Sequence, residues 1–109
     1  MAAPTYPKNF RDFRTLFPEM FEALEKAARL ARESGPLDEK STHLVQLAAA
    51  IARRSEGSTH SHARRALEAG ATREELYQVI NLLVSTVGFP TAAAAFSWVS
   101  DVLEGRQGP

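Results

Sequence analysis

Apolar residues along this chain recur at spacings of three and four, and no stretch alternates with a period of two. One face of an α-helix repeats about every 3.6 residues, whereas one face of a strand repeats about every two. The pattern therefore argues for helices and against a sheet. Prolines and glycines punctuate the periodic stretches and cut them into short segments. The fold class is all-α, a bundle of five to six helices joined by short turns.

The segments follow from local signals. Met1 to Asn9 carries two prolines and little periodicity, which predicts a loose or partner-draped arm over residues 1–16. Within it Phe10 and Phe13, followed by Phe17, have helix-like spacing, as if to dock their rings on something. Pro18 suits a first helical turn, where its missing N–H would be unpaired anyway. Met20, Phe21, Leu24, Ala27, Ala28 and Ala31 then share a face, and Gly35 and Pro36 stop that helix. Asp38 is an N-cap for a second helix running to about Arg54. Leu44, Val45, Leu47, Ala48 and Ile51 make it apolar nearly all round and hence central. A third helix covers Ser58 to Ala69 and ends at Gly70 as a left-handed cap. Thr72 and Glu75 form a capping box before the stripe Leu76, Val79, Ile80, Leu83 and Val87. After Gly88 and Pro90, the last helix turns Ala92, Ala95, Phe96, Val99, Val102 and Leu103 to one side. The helical domain spans residues 17–104, and 105–109 are a tail.

Size and composition limit what such a bundle can do. With 109 residues there is one domain with one core, which buries only part of its apolar surface and favours a homo-oligomer. Thirteen basic and thirteen acidic residues cancel, so no nucleic-acid partner is expected. The longest apolar stretches, Leu44 to Ala52 and Val79 to Val87, are too short to cross a bilayer. The N-terminus lacks a charged-then-apolar signal pattern, and a cytoplasmic location is expected. There is no cysteine, which rules out disulfides, thiolate metal sites and an internal thiol redox cycle.

The candidate chemistry lies in Ser55 to His62, SEGSTHSH. At about 100° per residue, Ser58 and His62 lie about 40° apart on one helix face, with Ser55 joining them if the helix already includes it. His60 points about 160° away from His62 and is expected to face solvent; the two cannot chelate one metal from a regular helix. Ser55 and Ser58 read as helix caps, with a nucleophilic Ser58 activated by His62 as the alternative. His62 is either a general acid/base in a pocket or a hydrogen-bonded structural histidine. Arg53, Arg54, Arg64 and Arg65 flank the stretch, as solvated helix ends or as a clamp for a carboxylate, with Arg54 and Arg65 the chosen pair. Trp98 and Tyr77 are expected in the core or at a subunit interface. No metal and no cofactor are expected.

The string from His62 through Gly70, Thr72 and Glu75 to Leu76 resembles the core signature of the carboxymuconolactone decarboxylase family, which includes the alkyl hydroperoxidase D-like proteins. LDEKSTHLVQLAAAIA resembles the family's second core helix. Gly88-Phe89-Pro90 and the small residues after it resemble its closing turn and helix. The resemblance covers about Phe17 to Leu103 and implies an all-helical, alkyl hydroperoxidase D-like bundle assembled as trimers or hexamers. In the hydroperoxidase branch, Cys-x-x-Cys-x-x-x-His opens the third core helix and a glutamate on the second faces it. Carried over, the cysteine positions fall on Ser55 and Ser58, the histidine on His62 and the glutamate on His43. One of these four positions keeps the family residue.

Serine cannot cycle between thiol and disulfide, so the dithiol peroxidase chemistry is not expected here. The decarboxylase branch also lacks the cysteine pair and keeps the histidine, although it is acidic where Ser58 stands. By the same resemblance His43 would face His62, and such an imidazole pair would titrate as one coupled unit. Three readings follow. One is a non-redox decarboxylase- or isomerase-type enzyme using His62, with His43, Ser58 and Ser55 beside it, on a small carboxylate or lactone. The second is a homo-oligomeric binding or scaffold protein that has lost the chemistry. The third, least compatible with a chain lacking thiols, is the inherited antioxidant role.

Overall fold

The computed structural model describes residues 8–105. Within them the chain is helical in six segments. It divides into two compact units, with the boundary between Leu37 and Asp38.

The first unit holds α1 (Lys8–Leu16) and α2 (Pro18–Arg32). Lys8 and Asn9, expected in an arm, already belong to α1; residues 1–7 of that arm lie outside the described residues. Pro18 breaks the two helices apart, because its ring pushes Phe17 out of helical geometry, to φ −133° and ψ 65°. The phenylalanines find one another: Phe13 lies 5.2 Å from Phe17 and 6.5 Å from Phe21, ring centre to ring centre. The Arg14 guanidinium sits 5.9 Å over the Phe21 ring. No residue of either helix is buried, and Met20 and Leu24 of the expected inward face are more than half exposed. A two-helix unit has too little surface to enclose its own apolar stripe.

The second unit holds α3 (Glu39–Ala52), α4 (Glu56–Glu68), α5 (Arg73–Val87) and α6 (Phe89–Leu103). Its helices start where short-range chemistry says they should. The Asp38 carboxylate accepts from the Ser41 N–H at 2.7 Å and caps α3. The α5 capping box is complete: Glu75 N–H donates to the Thr72 hydroxyl at 3.1 Å, and Thr72 N–H to the Glu75 carboxylate at 2.9 Å. The other oxygen of Glu75 takes the Lys40 ammonium at 3.0 Å, tying the start of α5 to the first turn of α3. The Thr72 N–H first, then Lys40, hold the Glu75 carboxyl below the usual range; the Ser41 backbone does the same for Asp38.

α4 lies against both α3 and α6, and α5 against α6 and α3. Between them Leu47, Ile51, Leu76 and Val99 are fully enclosed, with Ala63, Ala66, Ala92 and Ala95 letting α4 and α6 approach closely. Leu76, Ile80 and Leu83 bury the α5 stripe as the periodicity predicts. Two expectations change. α3 is not buried all round, since Val45 faces outward, and Phe96 of α6 is exposed rather than inward. Four short helices have one shared interior, so a helix apolar on two faces can hide only one of them.

Candidate functional site

α3 and α4 are joined by a turn of three residues, Arg53 to Ser55, and this turn builds the site. α3 closes with the Ser55 N–H bonded to the Ala50 carbonyl at 3.0 Å and the Arg54 N–H to the Ile51 carbonyl at 2.8 Å. This paired arrangement needs a left-handed residue, and Arg54 takes it at φ 56°. α4 ends in the same motif around Gly70, at φ 102°, where the missing Cβ makes that backbone free of strain. Arg54 is the one non-glycine with positive φ among the described residues. An L-residue there costs about 1–2 kcal/mol. Its guanidinium donates to the Thr91 hydroxyl on the first turn of α6 at 2.8 Å.

Ser55 then caps α4, its hydroxyl accepting the Ser58 N–H at 3.3 Å. α4 starts at Glu56, two residues ahead of the expected Ser58, so Ser58 stands inside its first turn, half-buried. One turn later His62, also half-buried, meets His43 from α3: the ring centres are 5.7 Å apart and the planes tilted by 37°. His43 is 3% exposed. The structure thus brings together two histidines nineteen residues apart in the chain, on the helix pair that also carries Ser55 and Ser58. Arg65 follows His62 by three residues and is half-buried, which puts it about 60° from His62 around the helix.

His60 overturns its expectation. It is 7% exposed rather than solvent-facing, with Glu56 Oε2 3.8 Å from its Nε2, beyond hydrogen-bond reach. Thr59 beside it is wholly buried, and neither its hydroxyl nor the His60 Nε2 has a hydrogen-bond partner. The reason is the placement of α4 between α3 and α6, which covers more than one of its faces. The sequence signal was there in the small residues Ser58, Thr59, Ser61, Ala63 and Ala66, which let neighbours close in. The Thr91 partner of Arg54 carried no sequence signal. Tyr77 and Trp98 pack on the edge of the core, as expected, and Tyr77 stacks on Phe96 at 5.3 Å. Among the described residues, no three His, Asp or Glu side chains stand close enough to hold a metal ion. A groove of about 350 Å³ in the second unit lies away from the histidines, between α5 and α6.

Comparison with known proteins places this geometry in context. The profile of the carboxymuconolactone decarboxylase family matches residues 18–101. A solved structure, the apo form of a carboxymuconolactone decarboxylase family protein from Legionella pneumophila, superimposes with a TM-score of 0.77 at 27% identity, covering 91% of this chain and 88% of that one. No curated protein is similar enough in sequence to count as a relative.

Proposed function

Since the chain belongs to the carboxymuconolactone decarboxylase family and has no cysteine, we propose that it is a non-redox, homo-oligomeric member whose His62 works as acid and base on a small carboxylate or lactone. The observation that carries this reading is the His43–His62 pair, two rings held 5.7 Å apart at the junction of α3 and α4. For isomerisation the neutral His62 ring takes a proton from the carbon beside the substrate carbonyl, leaving the electron pair as an enolate, and the imidazolium returns that proton to another carbon. For decarboxylation no C–H proton is taken. The bond to the carboxylate breaks to release carbon dioxide, and its electron pair becomes the enolate. A His62 imidazolium protonated from solvent then gives its proton to the carbon that lost the carboxylate. His43 shares the charge on the pair during the step. Ser58 and the free N–H groups at the start of α4 face the enolate oxygen, with Ser55 keeping that end of the helix in place.

Arg54 and Arg65 hold the substrate carboxylate. Support for Arg54 comes from its backbone. A strained conformation that glycine would adopt freely is retained with a long cationic side chain, a pattern that concentrates at functional positions. Its bond to Thr91 uses one of five N–H donors and leaves the rest for a ligand.

The test is an NMR titration of the histidine rings in the wild type and in His62→Ala, joined to a screen of small carboxylates and lactones followed by proton NMR. Removal of His62 should move the His43 titration and lower turnover of any substrate by about 10²- to 10⁴-fold. Independent titration of both rings, with no turnover across the screen, rejects the enzyme. The scaffold reading then stands, supported by the three replaced family positions and by the exposed apolar residues Leu82, Phe89 and Phe96.

A further inference from the structure

The histidine pair divides the α3–α4 surface into two sides. Helices joined by so short a turn run antiparallel, so the same sense of rotation about each carries its residues to the same side of the pair. Counted from His43 at about 100° per residue, Leu47 and Ile51 follow at about 40° and 80° in the positive sense. Counted from His62, Ala66 and Ala63 follow at about 40° and 100° in that sense. All four are buried in the core. In the opposite sense lie Gln46, about 60° from His43, and Ser58 and Arg65, about 40° and 60° from His62. These three are half-buried. At about 1.5 Å per residue, Gln46 and Ser58 stand about 4.5 and 6 Å along their helices from the histidines, both toward the turn. The Gln46 amide and the Ser58 hydroxyl therefore share a level beside the histidine pair. The carbonyl oxygen of Gln46 is enclosed and accepts no hydrogen bond from the rest of the protein. An enclosed acceptor without a partner is a cost to the fold, and packing alone does not call for it, since Met would fill the same space.

We propose that Gln46 sets the specificity of this site: its carbonyl oxygen accepts from a hydroxyl of the substrate, which is therefore a hydroxylated carboxylate or lactone. The inference rests on the reading of His62 and the arginines as a carboxylate site. A carbonyl oxygen only accepts, so its partner must bring a donor. An ionised carboxylate has none, and neither has an enolate oxygen. A hydroxyl is the donor that such a small molecule carries close to its reacting carbon. Arg65 lies on the same side of the helix pair as Gln46, so a substrate carboxylate held there leaves the hydroxyl within a few bonds of it. The amide ends a flexible side chain, and no hydrogen bond to its oxygen opposes its turning to the ligand. Discrimination follows from the same acceptor. A site built to bond a hydroxyl rejects the analogue lacking it, because its own polar group is then left unpaired.

The test compares acids that differ by one hydroxyl, lactate against propionate and malate against succinate, each titrated into the protein with the His62 ring protons followed by NMR. In the wild type the hydroxy acid of each pair should bind about tenfold more tightly or better. Gln46→Met keeps the length of the side chain and loses the acceptor, and should bring the two affinities together. Its urea midpoint should hold or rise, because an enclosed acceptor without a partner has gone. If Gln46→Met does not fold, Gln46→Glu decides: it keeps an acceptor, repels both acids of a pair alike, and should retain the preference for the hydroxyl. Equal affinities in the wild type overturn the role of Gln46 and leave the carboxylate site standing. A preference that survives in Gln46→Met does the same. Equal affinities together with a lowered urea midpoint in Gln46→Met assign the amide to the fold alone. If no acid of either pair moves the His62 ring, the carboxylate site fails and this inference fails with it.

Discussion

The two helix pairs of the second unit bury different things. α3 and α4 bury Thr42, His43, Thr59, His60 and Ser61, all the buried polar residues among those described. α5 and α6 bury only apolar side chains, yet leave Leu82, Phe89 and Phe96 more than half exposed. Burial of a polar group without a partner, such as the Thr59 hydroxyl, costs free energy, and exposure of an aromatic ring forgoes the gain of burying it. Each pair thus departs from the most stable solution in its own direction. Polar groups retained inside α3 and α4 point to chemistry at that end. Phe89 and Phe96, left outside on α6, line the open groove between α5 and α6.

The contrast rests on one shared interior, and the largest effect tests that premise. Leu47 from α3 and Leu76 from α5 are both fully enclosed. Leu47→Ala and Leu76→Ala should each lower stability by about 2–5 kcal/mol in urea unfolding. A cost confined to one of them would mean that the pairs are separate cores and that the comparison is of two unlike objects.

Loss of the α5 cap comes next. Thr72→Ala removes the hydroxyl that accepts the Glu75 N–H, and about 1 kcal/mol of stability should go with it. A null result would show that tertiary packing alone starts the helix.

Thr59→Val sharpens the polar side of the contrast. The Thr59 hydroxyl is buried without a partner, so an apolar replacement of the same shape should be neutral or stabilising by up to about 1 kcal/mol. A clear loss of stability would show that the polar residues of α4 are there for the fold, and would weaken the functional interpretation of that pair.

The smallest effect is on the acid side. Asp38 and Glu75 have folded-state values below their ordinary ones. The stability they contribute is therefore complete above the unfolded carboxylate value, near about pH 4, and is lost as pH falls through the lowered folded values. Urea midpoints should be flat from neutral pH to about pH 5 and fall below about pH 4. Glu75→Gln should shallow that fall, because Lys40–Glu75 links α3 to α5. An unchanged acid profile would remove this link between the pairs.

The residues differ in how far they could be read ahead of the fold. Caps act within three or four residues, so Asp38, Ser55, Thr72 and Gly70 were legible from sequence alone, as was the all-helical class. The family resemblance supplied the idea that position 43 faces position 62, which no periodicity contains. His60 and Phe96 went the other way, one buried and one exposed against expectation. A helical wheel ranks the faces of one helix but cannot count its neighbours. α4 has two along its length, whereas the groove side of α6 has none.

By itself, then, the sequence determined which caps and breakers bound the helices of residues 38–105, with both the end of α3 and the start of α4 misplaced by two residues, that no thiol chemistry is available, and that a run from Tyr77 to Ser100 carries no charge. These depend on residue identity and on contacts a few positions apart. Only the tertiary structure decided that His43 meets His62, that Arg54 takes a left-handed turn and reaches Thr91, and that the uncharged run leaves an open groove. Each of these is set by how rigid helices pack around one small interior. That packing is a sum over distant contacts which no local stretch of chain encodes.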